Sequence, residues 1–311
     1  FKDSKASGIW DINEALDLIK GGNWPNAANI NPAAFVDALF STDVWSGNAS
    51  TQTITNGIDL SNKGGLAWIK KRSGSDGHAL INTVQGASVT LQSESSGASA
   101  DLSAQNFQFN SNGYQMNSSD GQLNASSATY VGWTFREQPK FFDIVVWSGN
   151  GGGARSISHN LGSTPGMMLV KRYDGTEDWG VYHRRGNGGT NDEQYYALLH
   201  NSQGFSDADF FDDTAPTSTQ FTVGSGRNIS GRNYIAYLFA HNNNDGGFGL
   251  TNDQDIIKCG SYTGNGSSTG PVVDLGFEPQ FLFTKNATTG GSGKDWVMVD
   301  NMRGVATGGN D

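Results

Sequence analysis

The chain has 311 residues, of which 16% are charged, and its formal net charge is −10. No Lys/Arg run supplies the basic face needed to displace counterions from nucleic-acid phosphates, and the acidic balance argues against an anionic membrane surface. Length allows about two domains, or three small ones. Eight Trp, nine Tyr and 17 Phe provide aromatic area for cores, and the 43 glycines come without the high charge of a disordered chain.

Residues 1–40 read as a helical connector. Asp11 caps a helix over Asp11–Lys20, with Glu14 three residues on completing a capping box. Ile12, Leu16 and Ile19 share one face, Gly21-Gly22 ends the helix, and Trp10 and Trp24-Pro25 bracket it. No signal-peptide pattern precedes it, and no apolar run approaches the roughly 20 residues of a membrane span. Phe1 is not an initiator, so the sequence reads as a window on a longer or processed polypeptide.

An internal repeat follows. An aromatic, a hydroxyl residue, Gly and Asn occur at Trp45-Ser46-Gly47-Asn48, Trp147-Ser148-Gly149-Asn150 and Tyr262-Thr263-Gly264-Asn265. Each is followed by an apolar strand ending in lysine, at Lys70, Lys171 and Lys285. Leu161-Gly162 and Leu275-Gly276 precede Pro165 and Pro279, which stand six residues before their lysines. The first two copies close on Tyr130–Phe135 and Tyr234–Phe239; the third has 49 residues after its aromatic and no such strand. The expected division is a connector over 1–40, sandwich repeats over 41–139 and 140–243, and an incomplete third over 244–311. A repeat of about 90–100 residues is long enough for a bead with its own core.

The second copy shows the local physics. Phe141–Trp147 is β-branched and aromatic, Ser148–Gly153 is a turn, and Arg155–Leu161 alternates polar and apolar as a half-buried strand does. Met167–Tyr173 and Trp179–His183 follow, separated by Asp174-Gly175. Short strands between Gly, Pro, Asn and Asp clusters predict an all-β fold of tandem antiparallel sandwich or jelly-roll-like domains.

Candidate chemistry is thin. There is no His-Glu-x-x-His, no Gly-x-Ser-x-Gly and no phosphate-binding loop. His159, His183, His200 and His241 read as strand and turn positions, and no catalytic triad is assigned. Asp207, Asp209, Asp212 and Asp213 concentrate carboxylates that could hold calcium, but the EF-hand glycine and glutamate are missing. Asn242–Gly247 reads as an inter-domain turn. Sequons stand at Asn48, Asn117, Asn124, Asn228, Asn265 and Asn286. Cys259, the sole cysteine, reads as a buried hydrophobe in a strand over Ile256–Cys259, and no intrachain disulfide is possible. The Trp/Tyr markers read as core anchors, with sugar stacking as the alternative. No catalytic, cofactor or metal residue is assigned, and no ligand-binding residue is identified.

Val146–Asn150, His159–Gly166, Met168–Arg172 and Trp179–His183 together resemble repeat domains in virion structural proteins of tailed bacteriophages, especially marine ones. Ala6–Asp11 and Gly22–Pro25 look like segments of the same proteins. The likeness is clearest in copy two, looser in copy one and partial in copy three. It implies a non-enzymatic virion protein on the tail or capsid exterior, with tail fibre or tail-associated appendage leading. It carries no catalytic residues or cofactors. The alternatives are a capsid-surface decoration or fibre protein and a carbohydrate-binding adhesin; a polysaccharide-degrading spike would need a carboxylate pair that the sequence does not place. Expected partners are other virion proteins and host surface glycans, without nucleic acid or membrane insertion. The aromatics Trp10, Trp24 and Phe35 also suggest a homo-oligomer, with a trimer the guess.

Overall fold

The computed structural model describes residues 35–304. The connector helix expected over Asp11–Lys20 lies outside them, as do Trp10 and Trp24; Phe35 is described and half-buried. The first copy forms β1 (Phe40–Ser46), β2 (Thr51–Thr55), β3 (Gly65–Lys71), β4 (Ala79–Asn82), β5 (Val89–Thr90), β6 (Ala100–Asp101), β7 (Gln108–Asn110), β8 (Gly113–Asn117) and β9 (Thr129–Arg136). The second forms β10 (Phe142–Ser148), β11 (Arg155–Ser158), β12 (Pro165–Arg172), β13 (Gly180–His183), β14 (Tyr195–Leu198), β15 (Ser206–Asp207), β16 (Gln220–Val223) and β17 (Asn233–Ala240). The third contributes the hairpin β18 (Phe281–Thr284) and β19 (Val297–Asp300). Among the described residues the only α-helix is the short Leu60–Lys63, capped by the Asp59 carboxylate accepting from the Asn62 N–H. The all-β antiparallel class expected from the turn-rich sequence is the class observed.

The two complete copies repeat one wiring. Sheet order is β1-β9-β3-β4 in the first and β10-β17-β12-β13-β14-β15 in the second. Trp45 lies opposite Tyr130 as Trp147 lies opposite Tyr234. Trp68 lies opposite Trp133 as Leu169 lies opposite Tyr237. Over each main sheet packs a smaller one, β2-β8-β7 or β11-β16.

Side-chain alternation decides where each residue goes. In copy one Ala67, Ile69, Ile81 and Tyr130 face the small sheet and fill one cluster. In copy two Met168, Val170, Tyr234, Ala236 and Leu238 do the same. The opposite faces meet in a third cluster that joins the copies: Leu66, Trp68, Leu80, Trp133 and Phe135 from the first, Phe142, Leu169, Trp179 and Tyr237 from the second. Phe281, Phe283, Trp296 and Met298 of the third copy pack against it. Each complete copy therefore has a core of its own and also shares a larger one. Burial on both faces explains why Tyr130–Phe135 and Tyr234–Phe239 lack the polar alternation of a solvent-facing strand.

Cys259 is buried in this shared cluster, but Ile256–Cys259 is not the strand expected from its sequence. Its counterpart β10 is held by pairing with β17, and among the described residues nothing plays the part of β17 in copy three.

Candidate functional site

The aromatic-hydroxyl-Gly-Asn motif does the same thing in both complete copies. Trp45 stacks on Tyr130 at 5.5 Å and Trp147 on Tyr234 at 5.4 Å. Gly47 and Gly149 press against the segment ahead of the closing strand, where a Cβ would meet the Ala125 or Ile229 carbonyl oxygen at 2.2 or 2.1 Å. The Asn48 N–H donates to Asn124 Oδ1 at 3.0 Å, and Asn124 Nδ2 donates back to Asn48 Oδ1 at 2.9 Å. The Asn150 N–H and Asn228 repeat this clasp at 3.0 and 2.6 Å. Asn124 and Asn228 are fully buried, so these two sequon side chains are committed to holding main chain.

The lysine and a following aromatic join one copy to the one before it. Trp179 Nε1 donates to the Gln92 carbonyl at 2.9 Å, Lys171 Nζ to the Ser96 carbonyl at 3.1 Å, and the Ser99 N–H to the Tyr173 carbonyl at 2.9 Å. Between copies three and two, Trp296 Nε1 donates to the Leu198 carbonyl at 3.0 Å and Lys285 Nζ to the Asn201 carbonyl at 3.2 Å, while the Phe205 N–H donates to the Ala287 carbonyl at 2.8 Å. Copy three sits on copy two as copy two sits on copy one.

A second pair of contacts closes the circuit. Asn82 Nδ2 donates to Tyr237 Oη at 3.1 Å, joining copies one and two. Trp133 Nε1 donates to Asp300 Oδ2 at 3.0 Å, joining copies one and three. Asn82 and Asp300 hold one register position, opposite Leu66 and Phe281, and Trp133 and Tyr237 hold another. His183, opposite Met167, stands at the Asn82 position of copy two. Each of the three copies thus contacts the other two.

The titratable groups along this seam have partners within the polypeptide. Burial draws the Lys171 ammonium down to about 8, and its remaining protons reach the Arg172 and Gly175 carbonyls. His78 accepts the Trp68 indole N–H at Nδ1, and burial keeps its imidazole neutral down to about pH 4. Asp300 also receives Arg303 Nε at 2.6 Å, and the Arg303 guanidinium lies 5.1 Å over the Trp133 ring. Between β9 and β10, burial and then the neighbouring Asp143 raise the Glu137 carboxyl to about 7, while its Oε1 accepts the Ile144 N–H. Asp143 in turn accepts the Asn160 N–H. Sequence reading missed this carboxylate pair; its signal is two acids six residues apart across a strand-to-strand turn.

A cleft of about 500 Å³ opens where copy two passes into copy three, lined by Lys140, Ser163, Thr164, Arg184, His241 and Asp245 among others. Lys140 Nζ donates to the Asp245 carbonyl and Arg184 to the Cys259 carbonyl, so both cations brace the crossing chain. His241 accepts the Cys259 N–H and is kept neutral down to about pH 4 by burial and then by Arg184. The crossing is more than a loose turn: buried Asn242 donates to the Lys140 carbonyl and accepts the Ile256 N–H. Burial raises the Cys259 thiol to about 12, which keeps it protonated.

The remaining sequence candidates are scattered. His159 stacks on Phe221, His183 lies edge-on to Phe205, and His200 pairs with Asp178 at 3.3 Å. In the acidic stretch Phe210 and Phe211 are buried, while Asp212 and Asp213 are exposed in left-handed backbone. Among the described residues no three His, Cys, Asp or Glu side chains gather as a metal group, those of 207–213 included.

One family model matches the chain, over residues 37–310, and is described as a domain of unknown function, DUF7483. The chain belongs to this family. The match takes in all three copies and the seam between them. No curated protein and no solved structure matches the chain.

Proposed function

We propose that the protein is a non-enzymatic structural component of a tailed-phage virion, a tail fibre or tail-associated appendage, exposed on the particle exterior. The observation that carries this reading is the repeated seam. Lys171, Lys285, His78 and Asp300 would elsewhere be candidates for chemistry, and here each holds polypeptide to polypeptide. The bacteriophage assignment itself rests on the sequence resemblance. The sugar-stacking alternative has little support from Trp45 and Trp147, whose rings are covered by the closing-strand tyrosines. Other virion proteins are the expected partners, and homotrimer formation stays part of the proposal. Immunogold labelling of intact particles tests the location, with label expected on the tail. Label confined to the capsid would select the decoration reading, and absence from both would refute a virion role. Glycan-array binding lost on mutating an exposed aromatic would move the assignment to an adhesin.

A further inference from the structure

The two joints that follow a closing strand share one plan with its charges reversed. After β9, Glu137 Oε1 accepts the Ile144 N–H at 3.2 Å; after β17, His241 Nδ1 accepts the Cys259 N–H at 3.1 Å. Glu137 and His241 each stand two residues past the Phe that ends the closing run, Phe135 or Phe239. Ile144 and Cys259 each stand three residues before the motif aromatic, Trp147 or Tyr262, so the two contacts are equivalent. Immediately before the N–H donor comes Asp143 at the first joint and Lys258 at the second. Immediately after Asn82 and His183, which share a register position, come Thr83 and Arg184. Glu137, Asp143 and Thr83 are thus replaced by His241, Lys258 and Arg184.

At the first joint the chain supplies its own oxyanion. A Cβ on Gly64 would collide with Glu137 Oε2 and would meet Thr83 Oγ1 at 3.2 Å, so the second carboxylate oxygen lies against Gly64 beside Thr83. At the second joint the equivalents of Glu137 and Thr83, His241 and Arg184, both line the cleft of about 500 Å³. Its whole lining lies within residues 140–245, so copy two and the crossing that leaves it are enough to form it.

Hydrogen-bond donors gather in this cleft. With Nδ1 engaged as an acceptor, neutral His241 carries its proton on Nε2. Lys140 Nζ gives one proton to the Asp245 carbonyl and keeps two, and Arg184 Nη1 reaches the Cys259 carbonyl while the rest of its fork is left to donate. Ser163 Oγ is buried without a hydrogen-bond partner among the described residues. The nearby carboxylates are engaged: Asp245 accepts the Asn243 N–H, and Asp255 accepts the Asn244 and Gly246 N–H groups and pairs with Lys258.

We infer that this cleft binds a small molecule through an oxyanion (a carboxylate, phosphate or sulfate) held by Arg184, Lys140 and the His241 Nε2–H, in the place that Glu137 takes at the first joint. A guanidinium fork is matched to two oxygens of such a group. The cleft is larger than a bare ion and has the size of a small-molecule site. Ser163, Thr164 and Ser218 line it as hydroxyl partners for the rest of the ligand.

The test titrates the intact chain with inorganic phosphate, sulfate and glucuronate (a carboxylate on a sugar), at constant ionic strength in chloride. Saturable binding of at least one probe is expected, with a shift in the His241 imidazole resonance and none in that of His78, which belongs to copy one. The probe that binds best identifies the oxyanion. Arg184→Thr, which installs the copy-one residue, should weaken binding about tenfold or more, as the loss of a charge-assisted hydrogen bond does. Arg184→Lys keeps the charge without the fork and should fall between the two. His241→Glu should abolish binding, because its carboxylate would accept the Cys259 N–H and fill the cleft from within. No saturable binding of any probe, binding that leaves the His241 resonance unmoved, or an affinity that either Arg184→Thr or His241→Glu leaves unchanged would overturn the inference. So would displacement by chloride at equal concentration, which would reduce the cleft to a patch of positive charge.

Discussion

Lys171 has no exposed surface, yet it carries an ammonium group, because three main-chain carbonyls at the joint between copies one and two need a donor. A methionine of similar length would fill the space but take the ammonium donor away from those oxygens, of which Ser96 would keep the Glu177 N–H. Lys171→Met should cost about 2–3 kcal/mol in urea unfolding, the worth of hydrogen bonds from a charged donor to buried acceptors. An unchanged midpoint would mean that the lysine is only a space-filler. Glu137 makes a prediction of opposite character. Its folded pKa, near 7, lies above the ordinary carboxylate value, so between about pH 4.5 and 7 the folded state holds more proton than the unfolded one. Its contribution is therefore most favourable in acid and is lost as pH rises through 7. Glu137→Gln should flatten that fall in midpoint and stabilise the chain at neutral pH. An identical pH profile in the variant would remove Glu137 as the cause.

Within one element, a closing strand works only when the segment before it is pinned. Asn124 pins it by bonding Asn48, Ser50 and Ser118 at once. Asn124→Ala should speed hydrogen exchange through the turn after β1 and in β2, and leave the matching turn after β10 untouched. Equal acceleration in both copies would show global destabilisation instead of a local clasp. Much at this scale was legible in the sequence. The strands of copy two are seen within a residue or two of Phe141–Trp147, Met167–Tyr173 and Trp179–His183, because turn chemistry and alternation are local signals. The conserved spacing of the lysines was visible, but not its meaning, since the partners are carbonyls of another copy and carbonyls carry no sequence signature. The closing strands did announce burial on both faces: Tyr234–Ala240 has no polar side chain to turn toward water. One face of each closing strand meets its own small sheet and the other meets the neighbouring copy. The carboxylate pair was hidden because Glu137 and Asp143 meet only when β9 runs directly into β10.

Across the whole molecule, the shared cluster should make the copies unfold together. Trp133 packs on Trp68, Phe281 and the Arg303 guanidinium, and so touches two copies at once. Trp133→Ala should cost about 3–5 kcal/mol and shift every spectroscopic probe by the same amount. A piece spanning 41–139 alone should expose Trp68, Leu80 and Phe135 and bind a hydrophobic dye. Independent, reversible folding of that piece would show that the small-sheet core suffices without the seam. The cyclic order of the copies has a consequence for dilution. Three separate subunits meeting in this way would dissociate as concentration fell, because their association obeys mass action. Here the backbone tethers the copies, so each meets its neighbour at an effective concentration on the order of millimolar however few molecules are present. Tethering also frees the three equivalent positions from having to be identical, and Asn82, His183 and Asp300 occupy one such position with an amide, an imidazole and a carboxylate. The two contacts made from this position differ accordingly, an amide meeting a tyrosine hydroxyl and a carboxylate meeting an indole.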